Sequence, residues 1–296
     1  MTGLSSRKAL LLASLAALFG SGMPVVIKLT LVEVPPFLFC TLRLFLASLV
    51  LSPFLLTRWP KGVNSTTLVA LLVAVLGMTA NISLFAIGIQ SVSPTVSQIL
   101  YLFAPIIVLT SSLLEPTERV RSSQITGIVF GTCGIGVAML GNLRLGGTLP
   151  GTLTILGAVF SHSIYAIASR RLAGNVDPAF QTACATSLGA VIVGTLHFCF
   201  ESPMDKGIST SSWVGLLYVG AIASAGSYLL IQIIVQRGSA LAAMVTVYIQ
   251  PVLTWGWSAL AFNEPFTWFF AVGGMLSVFG AYLASYQPKT TSSEYD

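Results

Sequence analysis

An uncharged run from Gly62 to Leu114 is the feature that most constrains how this chain can fold. A helix needs about 20 apolar residues to cross the hydrocarbon core of a membrane, so the run is too long for one crossing. The segment 91–94, Ser-Val-Ser-Pro, is its break signal and divides it into two spans. Only 8% of the whole chain is charged, whereas a soluble domain has about 25%. The chain is therefore predicted to be an all-α membrane protein.

Cutting the chain at its short polar loops predicts ten transmembrane helices. They cover residues 9–27, 36–56, 66–89, 94–114, 124–141, 151–168, 179–200, 213–235, 240–261 and 267–286. Basic residues in short loops favour the cytoplasmic side. With a cytoplasmic N-terminus, the inner side holds ten of the 14 Lys and Arg residues and the outer side holds three. We therefore predict a multi-pass protein of the cell (inner) membrane with both termini in the cytoplasm.

The two halves of the chain repeat each other. A shift of 146 residues aligns the last three spans of each half without a gap, and this predicts repeats over residues 1–143 and 144–296. Because five is an odd number, the second repeat must enter the membrane upside down. Inverted repeats are typical of transporters that work by alternating access. The aligned pairs are Gln90/Gln236, Ser93/Ser239, Pro105/Pro251, Glu118/Glu264, Gly127/Gly273 and Gly134/Gly280.

On these residues the chain resembles the EamA family of the drug/metabolite transporter superfamily. The segment 18–21, Leu-Phe-Gly-Ser, resembles the family's opening Trp-Gly-small pattern, with Phe19 in place of Trp. Pro36 and Arg43 resemble its second helix, and each repeat closes on the Pro, Glu and Gly series of the aligned pairs. The resemblance implies a central cavity lined by helices one, three, four, six, eight and nine, and contact between helices five and ten. It also implies movement of amino acids, other metabolites or drugs, most often outward.

Polar and aromatic side chains inside apolar helices are the candidates for a substrate cavity. Amides in hydrocarbon need hydrogen-bond partners, which favours positions that face a cavity or another helix. Hydrogen bonding between helices without a ligand is the alternative. The candidates are Ser21, Asn81, Phe85, Gln98 and Tyr101 in the first half, and His162, Tyr165, Tyr228, Gln232, Tyr248 and Gln250 in the second.

Arg43 is a further candidate, about 10 Å into the second helix at the usual rise per residue. It can bind a substrate carboxylate, or it can extend to the interface or pair with carbonyls at helix ends. Pro24, Pro105 and Pro251 remove backbone hydrogen bonds within predicted helices, so they are expected to produce kinks, for gating or for packing alone. Glu264 precedes a span and is expected to complement the positive end of that helix.

No Asp or Glu lies near the middle of a predicted span. Proton-coupled carriers commonly use an intramembrane carboxylate, so we expect a facilitator or an exchanger. A carrier coupled through another group is the alternative, and His162 is the best candidate for it because histidine titrates near neutral pH. A neutral histidine bonded to a carbonyl is the alternative. Separate mutation of His162, Arg43, Gln232 and Tyr101 tests the cavity assignment.

A transporter is the preferred class, and we expect it to export a small neutral or zwitterionic metabolite such as an amino acid, with drug efflux as the alternative. A channel or an intramembrane enzyme is less favoured. An enzyme needs a nucleophile and base within reach, yet the neighbours Ser161 and His162 point different ways on a helix. The sequence predicts no metal site, cofactor or nucleic-acid partner. Gly127 and Gly131 suit close packing of helices within a monomer, with a homodimer seam as the alternative.

Overall fold

The computed structural model describes residues 6–60, 62–113, 122–144, 147–204, 207–237 and 240–285, and no strand occurs in these ranges. The helices are α1 (Ser6–Ser21), α2 (Met23–Thr30), α3 (Pro36–Thr57), α4 (Ser65–Gly88), α5 (Pro94–Tyr101), α6 (Ala104–Leu113), α7 (Ser122–Arg144), α8 (Leu149–Leu172), α9 (Pro178–Phe200), α10 (Thr210–Leu217), α11 (Tyr228–Arg237), α12 (Ala240–Phe262) and α13 (Trp268–Ser285). A π-helical segment, Tyr218–Ser227, joins α10 to α11 as one continuous helix.

Two of the predicted helical segments are each divided into two helices. The first segment breaks at Gly22, between α1 and α2, and the fourth breaks at residues 102–103, between α5 and α6. Pro24 and Pro105 are the second residues of α2 and α6, so they follow a break between helices instead of kinking one helix from within. A proline fits the first turn of a helix because the missing N–H has no partner there. Pro251 lies inside α12, as expected.

Side-chain caps fix where several helices begin. The Asn64 side chain accepts a hydrogen bond from the Thr67 N–H at the start of α4. Similar caps lie at the starts of α5, α8, α9 and α10, where a side-chain oxygen accepts a hydrogen bond from a backbone N–H of the first turn. The capping residues of those four helices are Ser93, Thr148, Asp177 and Ser209.

In the described part of the chain, five helices have the length and apolar composition needed to cross a membrane. Their outward faces carry large apolar side chains, such as Leu56 at 87% exposure and Phe198 at 84%. A water-soluble monomer rarely exposes large apolar areas, so this surface suits contact with lipid. The five are Pro36–Thr57, Ser65–Ser91, Leu149–Leu172, Pro178–Phe200 and Thr210–Ile231, and shorter apolar helices are Ser14–Thr30, Pro94–Val108, Ile125–Gly141 and Trp268–Gly280.

Helix packing joins the two halves of the chain along most of their length. α4 packs along α8, α3 along α9, α1 along α12 and α7 along α13, and the π-helical segment packs against α3. The contact between α7 and α13 is the one that the family resemblance implies. It depends on glycine, because a Cβ at Gly280 would lie 2.6 Å from the carbonyl oxygen of Gly127 and would also overlap the backbone of Gly131. The small residues of α7 therefore serve a contact within the chain.

Candidate substrate-binding site

Arg43 on α3 is the centre of a buried polar cluster. Its side chain is among the largest that are fully buried, with 1% exposure. The guanidinium Nε donates a hydrogen bond to Ser224 Oγ at 2.8 Å. Its Nη2 lies 3.2 Å from both the Tyr228 hydroxyl and the Met23 sulfur. We call Met23, Arg43, Ser224 and Tyr228 the Arg43 cluster, and it joins residues from both halves of the chain.

Local backbone structure allows Ser224 to accept from Arg43. The Ser224 hydroxyl donates its own proton to the carbonyl of Val219 at 2.6 Å, which leaves its lone pairs free to accept. The π-helical segment also approaches α3 very closely at Gly220. A Cβ on Gly220 would lie 2.9 Å from the Arg43 carbonyl oxygen and 2.8 Å from Leu46 Cβ. Glycine is therefore required at this position for Ser224 to reach Arg43.

The charge of Arg43 has no carboxylate partner among the described residues. The ion pairs there are Arg58–Asp177 and His197–Glu201. A buried charge without an opposite charge is costly, and hydrogen bonds from Arg43 to a hydroxyl, a phenol and a weakly accepting thioether compensate only in part. Its Nη1 donates to none of the residues that the structure describes.

Aromatic rings from α4, α5 and α8 form a second cluster, on helices that neighbour those of the Arg43 cluster. The Tyr101 ring centroid is 5.8 Å from that of Phe85 and 5.6 Å from that of His162, and His162 is 6.2 Å from Tyr165. We call these four residues the aromatic cluster. α2, which carries Met23, packs on α5, and α11, which carries Tyr228, contacts α8, so the two clusters lie on neighbouring helices.

Asn81 holds Tyr101 in place. Its Nδ2 donates to the Tyr101 hydroxyl and, at 2.8 Å, to the carbonyl of Ala158 on α8. The single amide therefore fixes α4, α5 and α8 relative to one another. His162 is partly exposed, and it makes no hydrogen bond to a described residue.

Other predicted residues lie elsewhere. Ser21 is fully buried between α1 and α12, where its Oγ donates to the Leu18 carbonyl at 3.0 Å and accepts from Trp257 Nε1 at 3.2 Å. Its carbonyl accepts from Thr254 Oγ1 at 2.8 Å. These bonds join two helices, which corresponds to the alternative of hydrogen bonding between helices without a ligand.

Two glutamines pack between helices. Gln98 is buried on α5, and the Gln250 amide packs against Gly20, where a Cβ would overlap it. The side chains of Gln232, Tyr248 and Pro105 lie outside the described part of the structure.

Sequence reasoning missed two members of the Arg43 cluster. Ser224 had a usable signal, a hydroxyl within an apolar span, but Met23 had none because a thioether is also an ordinary core side chain. Glu264 also differs from expectation. Its Oε2 accepts from Thr95 Oγ1 at 2.9 Å and from Ser258 Oγ. Thr267 instead accepts from the first turn of α13.

A cleft of about 180 Å³ opens where α3 ends and α9 begins. The ion pair between Arg58 and Asp177, with an N–O distance of 3.7 Å, lies in its wall. The predicted cavity residues do not line it. Its lining residues are Phe54, Arg58, Asp177, Pro178, Ala179, Leu229 and Ile233.

Two glutamates link the two halves of the chain at the opposite end of α3. Glu201 accepts from the Phe37 and Leu38 N–H groups at 2.7 and 2.9 Å. Glu33 accepts from the Ser209 N–H and hydroxyl at 2.7 and 2.6 Å, and also from Ser212. We call this end, formed by the two loops that carry Glu33 and Glu201, the cap end.

These features define an integral membrane protein, with lipid-facing apolar helices around buried polar side chains that join the two halves. The chain belongs to the EamA-like transporter family, which it matches over residues 7–140 and again over 149–286. The double match agrees with the sequence repeat.

Relatives with known sequences are similar to the chain over nearly its whole length. The uncharacterized transporter YvbV of Bacillus subtilis (strain 168) is 25% identical over 281 residues, covering 92% of this chain and 90% of the relative. An uncharacterized transporter of Archaeoglobus fulgidus is 24% identical over 289 residues, covering 95% and 98%. A crystal structure with 23% sequence identity superposes with a TM-score of 0.68 over 95% of this chain and 97% of that one. The first two names point to a transporter and not an enzyme, and the third comparison supports the fold.

Proposed function

We propose that the protein is a secondary transporter that moves a small metabolite, an amino acid or a similar neutral or zwitterionic solute, out of the cell by alternating access. The observation that carries this proposal is the Arg43 cluster. Arg43 belongs to the first half of the chain, and its partners Ser224 and Tyr228 belong to the second. A movement of one half against the other changes these contacts, which is what a site with alternating access requires.

Helix contacts support ten spans arranged as two inverted repeats, residues 1–143 and 144–296. In such an arrangement each contact has an equivalent with the halves exchanged. The contact of α4 with α8 has its equivalent in the contact of α1 with the π-helical segment and α11. The contact of α6 with α8 likewise has its equivalent in the contact of α12 with α1. The contacts α3–α9 and α7–α13 each join equivalent helices of the two halves.

With both termini in the cytoplasm, the cap end faces outward and the cleft beside Arg58 faces the cytoplasm. The monomer remains our preferred state, since the glycines of α7 contact α13 within the chain. Transport without proton coupling is favoured because the described carboxylates lie at the ends of helices or in loops.

Counterflow in proteoliposomes tests the transport proposal. Vesicles loaded with a pool of amino acids receive labelled amino acids outside, with and without a pH gradient, and protein-free vesicles are the control. Saturable accumulation that ignores the gradient is expected. Accumulation that follows the gradient would instead assign coupling to His162, and no uptake of any amino acid would overturn the substrate class.

Cysteine labelling tests the orientation. Leu229 in the cleft and Val32 near the cap end are replaced singly by cysteine, in a chain without its four native cysteines. In oriented vesicles, an impermeant maleimide is expected to reach Leu229→Cys from the cytoplasmic side and Val32→Cys from the other. Labelling of both from the same side would contradict the topology.

A further inference from the structure

We propose that Arg43 binds the carboxylate of the transported solute, so that the site selects small carboxylates with an apolar or aromatic side chain over the matching amides and amines. This inference rests on the proposed function, because it takes the Arg43 cluster to be the site of transport. It deepens that proposal by naming the chemical group that is recognised and the side chain that recognises it.

The first argument is the set of unused hydrogen-bond donors. Tyr228 accepts from Arg43 and Tyr101 accepts from Asn81, so each phenol is an acceptor in the bonds that the structure gives it. Among the described residues, neither phenol proton has an acceptor, and neither does Arg43 Nη1. Three donors therefore remain on helices that pack together, and one of them is charged. A carboxylate has two oxygens with lone pairs for several donors and no proton to place.

The second argument is charge. Arg43 is buried, and no described carboxylate pairs with it. A negatively charged ligand supplies the missing opposite charge in a place from which water is largely excluded, and there the interaction is strong. The guanidinium also fits a carboxylate in shape, because its planar N–H groups match the spacing of the two oxygens.

The third argument concerns the remainder of the solute. The rings of Phe85, Tyr101, His162 and Tyr165 contact one another on helices that neighbour those of the Arg43 cluster. Flat apolar faces favour an aliphatic or aromatic side chain. Neutral His162 has one ring nitrogen that accepts hydrogen bonds, and an amino group can donate to it. We therefore expect an amino acid with an apolar side chain to bind with its carboxylate at Arg43 and its ammonium towards His162.

Arg43 can instead serve only to hold α3 against the π-helical segment. That structural role makes a distinct prediction: removal of the ligand's carboxylate would not change binding. The test therefore compares ligands that differ in this group alone. The probes are L-phenylalanine, 3-phenylpropionate, L-phenylalaninamide and 2-phenylethylamine, with L-leucine, 4-methylpentanoate and L-leucinamide as an aliphatic set.

Binding is measured on the purified wild-type protein by thermal shift and calorimetry, so the readout needs no transport. We expect each carboxylate to bind about 10- to 100-fold more tightly than its matched amide or amine, as is usual for charged hydrogen bonds. Arg43→Gln should abolish the difference, and Arg43→Lys should restore only part of it because the ammonium lacks the planar fork. Tyr228→Phe should reduce it by about 3- to 10-fold, since one phenol donor is lost.

Arg170→Gln is the matched control, because Arg170 is exposed near the end of α8, and it should retain the full difference. Equal binding of carboxylates and amides to the wild type would overturn the inference, as would binding of no carboxylate from either set. If Arg43→Gln and Arg43→Lys do not fold, the wild-type panel and Tyr228→Phe decide. If amino acids show counterflow but amides compete equally well, the proposed function stands and this inference is rejected. If carboxylates bind selectively but no counterflow occurs, this inference stands and the proposed function is rejected.

Discussion

Glu33 caps the start of α10, the helix that follows Glu201, and Glu201 caps the start of α3, the helix that follows Glu33. Glu33 precedes α3, yet it accepts from the N–H of Ser209, the residue before α10. Glu201 precedes α10, yet it accepts from the N–H groups of Phe37 and Leu38 in the first turn of α3. Each carboxylate thus satisfies donors in the other half of the chain. The exchange ties the two halves together at the cap end.

Removal of the Glu201 cap should destabilise the protein. Glu201→Ala leaves two N–H groups of α3 without their acceptor, and loss of a cap typically costs about 1–2 kcal/mol. We expect a lower melting temperature in detergent, measured by intrinsic fluorescence. Glu201→Gln retains one acceptor oxygen and should lie between the alanine variant and the wild type. A wild-type melting temperature for Glu201→Ala would show that solvent satisfies these groups equally well.

The stability of the folded protein should fall at acid pH because the Glu33 carboxylate becomes protonated. Hydrogen bonds from the side chains of Ser209 and Ser212, followed by the Ser209 N–H, lower the pKa of the Glu33 carboxyl below its ordinary value of 4.5. A group with a lowered pKa in the folded state stabilises the protein above its unfolded pKa, and that contribution is lost as the pH falls through the folded pKa. The loss is therefore expected below about pH 4.5.

The Glu33 effect is measured as melting temperature against pH in the wild type, in Glu33→Gln and in Ser209→Ala. Glu33→Gln should be less stable at neutral pH and should lose less stability between neutral and acid pH. Ser209→Ala removes one donor but keeps the carboxyl, so its acid dependence should be intermediate. Identical curves for wild type and Glu33→Gln would refute the assignment.

Apolar length and loop chemistry were sufficient to predict where the helices lie, because both signals are local to each segment. The divisions at Gly22 and at residues 102–103 were not predicted in position, since a proline in sequence does not reveal whether it kinks a helix or starts a new one. The exchange of caps between Glu33 and Glu201 could not be predicted either. It depends on which loop lies beside which helix start, and that follows from tertiary packing.

The candidate site was predicted only in part, because its assembly also depends on tertiary packing. Arg43, Asn81 and Tyr101 were identified because polar groups are expensive in apolar spans. The contact between Arg43 and Ser224 was not predicted, because the π-helical segment changes the helical phase between Tyr218 and Ser227. Met23 completes the Arg43 cluster through a weak sulfur contact that the sequence does not indicate.

The contact between α7 and α13 gives a matched pair of glycine variants. A Cβ at Gly280 would overlap the backbone of Gly131 and Gly127, so Gly280→Ala must separate the helices and should cost about 1–3 kcal/mol. Gly136 on α7 has nothing within 4 Å of its Cβ position, and alanine there should be neutral or stabilising by about 0.5–1 kcal/mol. Thermal melting of the two purified variants checks this. Equal melting temperatures would contradict the close packing.

Gly220 and Gly226 in the π-helical segment test whether the approach to α3 matters for function. A Cβ at Gly220 meets the Arg43 carbonyl oxygen at 2.9 Å and Leu46 Cβ at 2.8 Å, whereas a Cβ at Gly226 meets its nearest atom, Phe19 Cδ2, only at 4.0 Å. Gly220→Ala should therefore displace the segment and lengthen the bond between Arg43 and Ser224. Loss of a hydrogen bond to a charged group should lower carboxylate affinity by about 10-fold or more.

The two alanine variants are compared by counterflow and by binding of L-phenylalanine and L-phenylalaninamide. We expect Gly220→Ala to lose carboxylate selectivity while Gly226→Ala retains it, although both lie in the same segment. A melting temperature for each variant separates a local displacement from general unfolding. Wild-type selectivity in a folded Gly220→Ala variant would mean that Arg43 recognises the solute without support from Ser224, and the π-helical segment would then be a packing feature only.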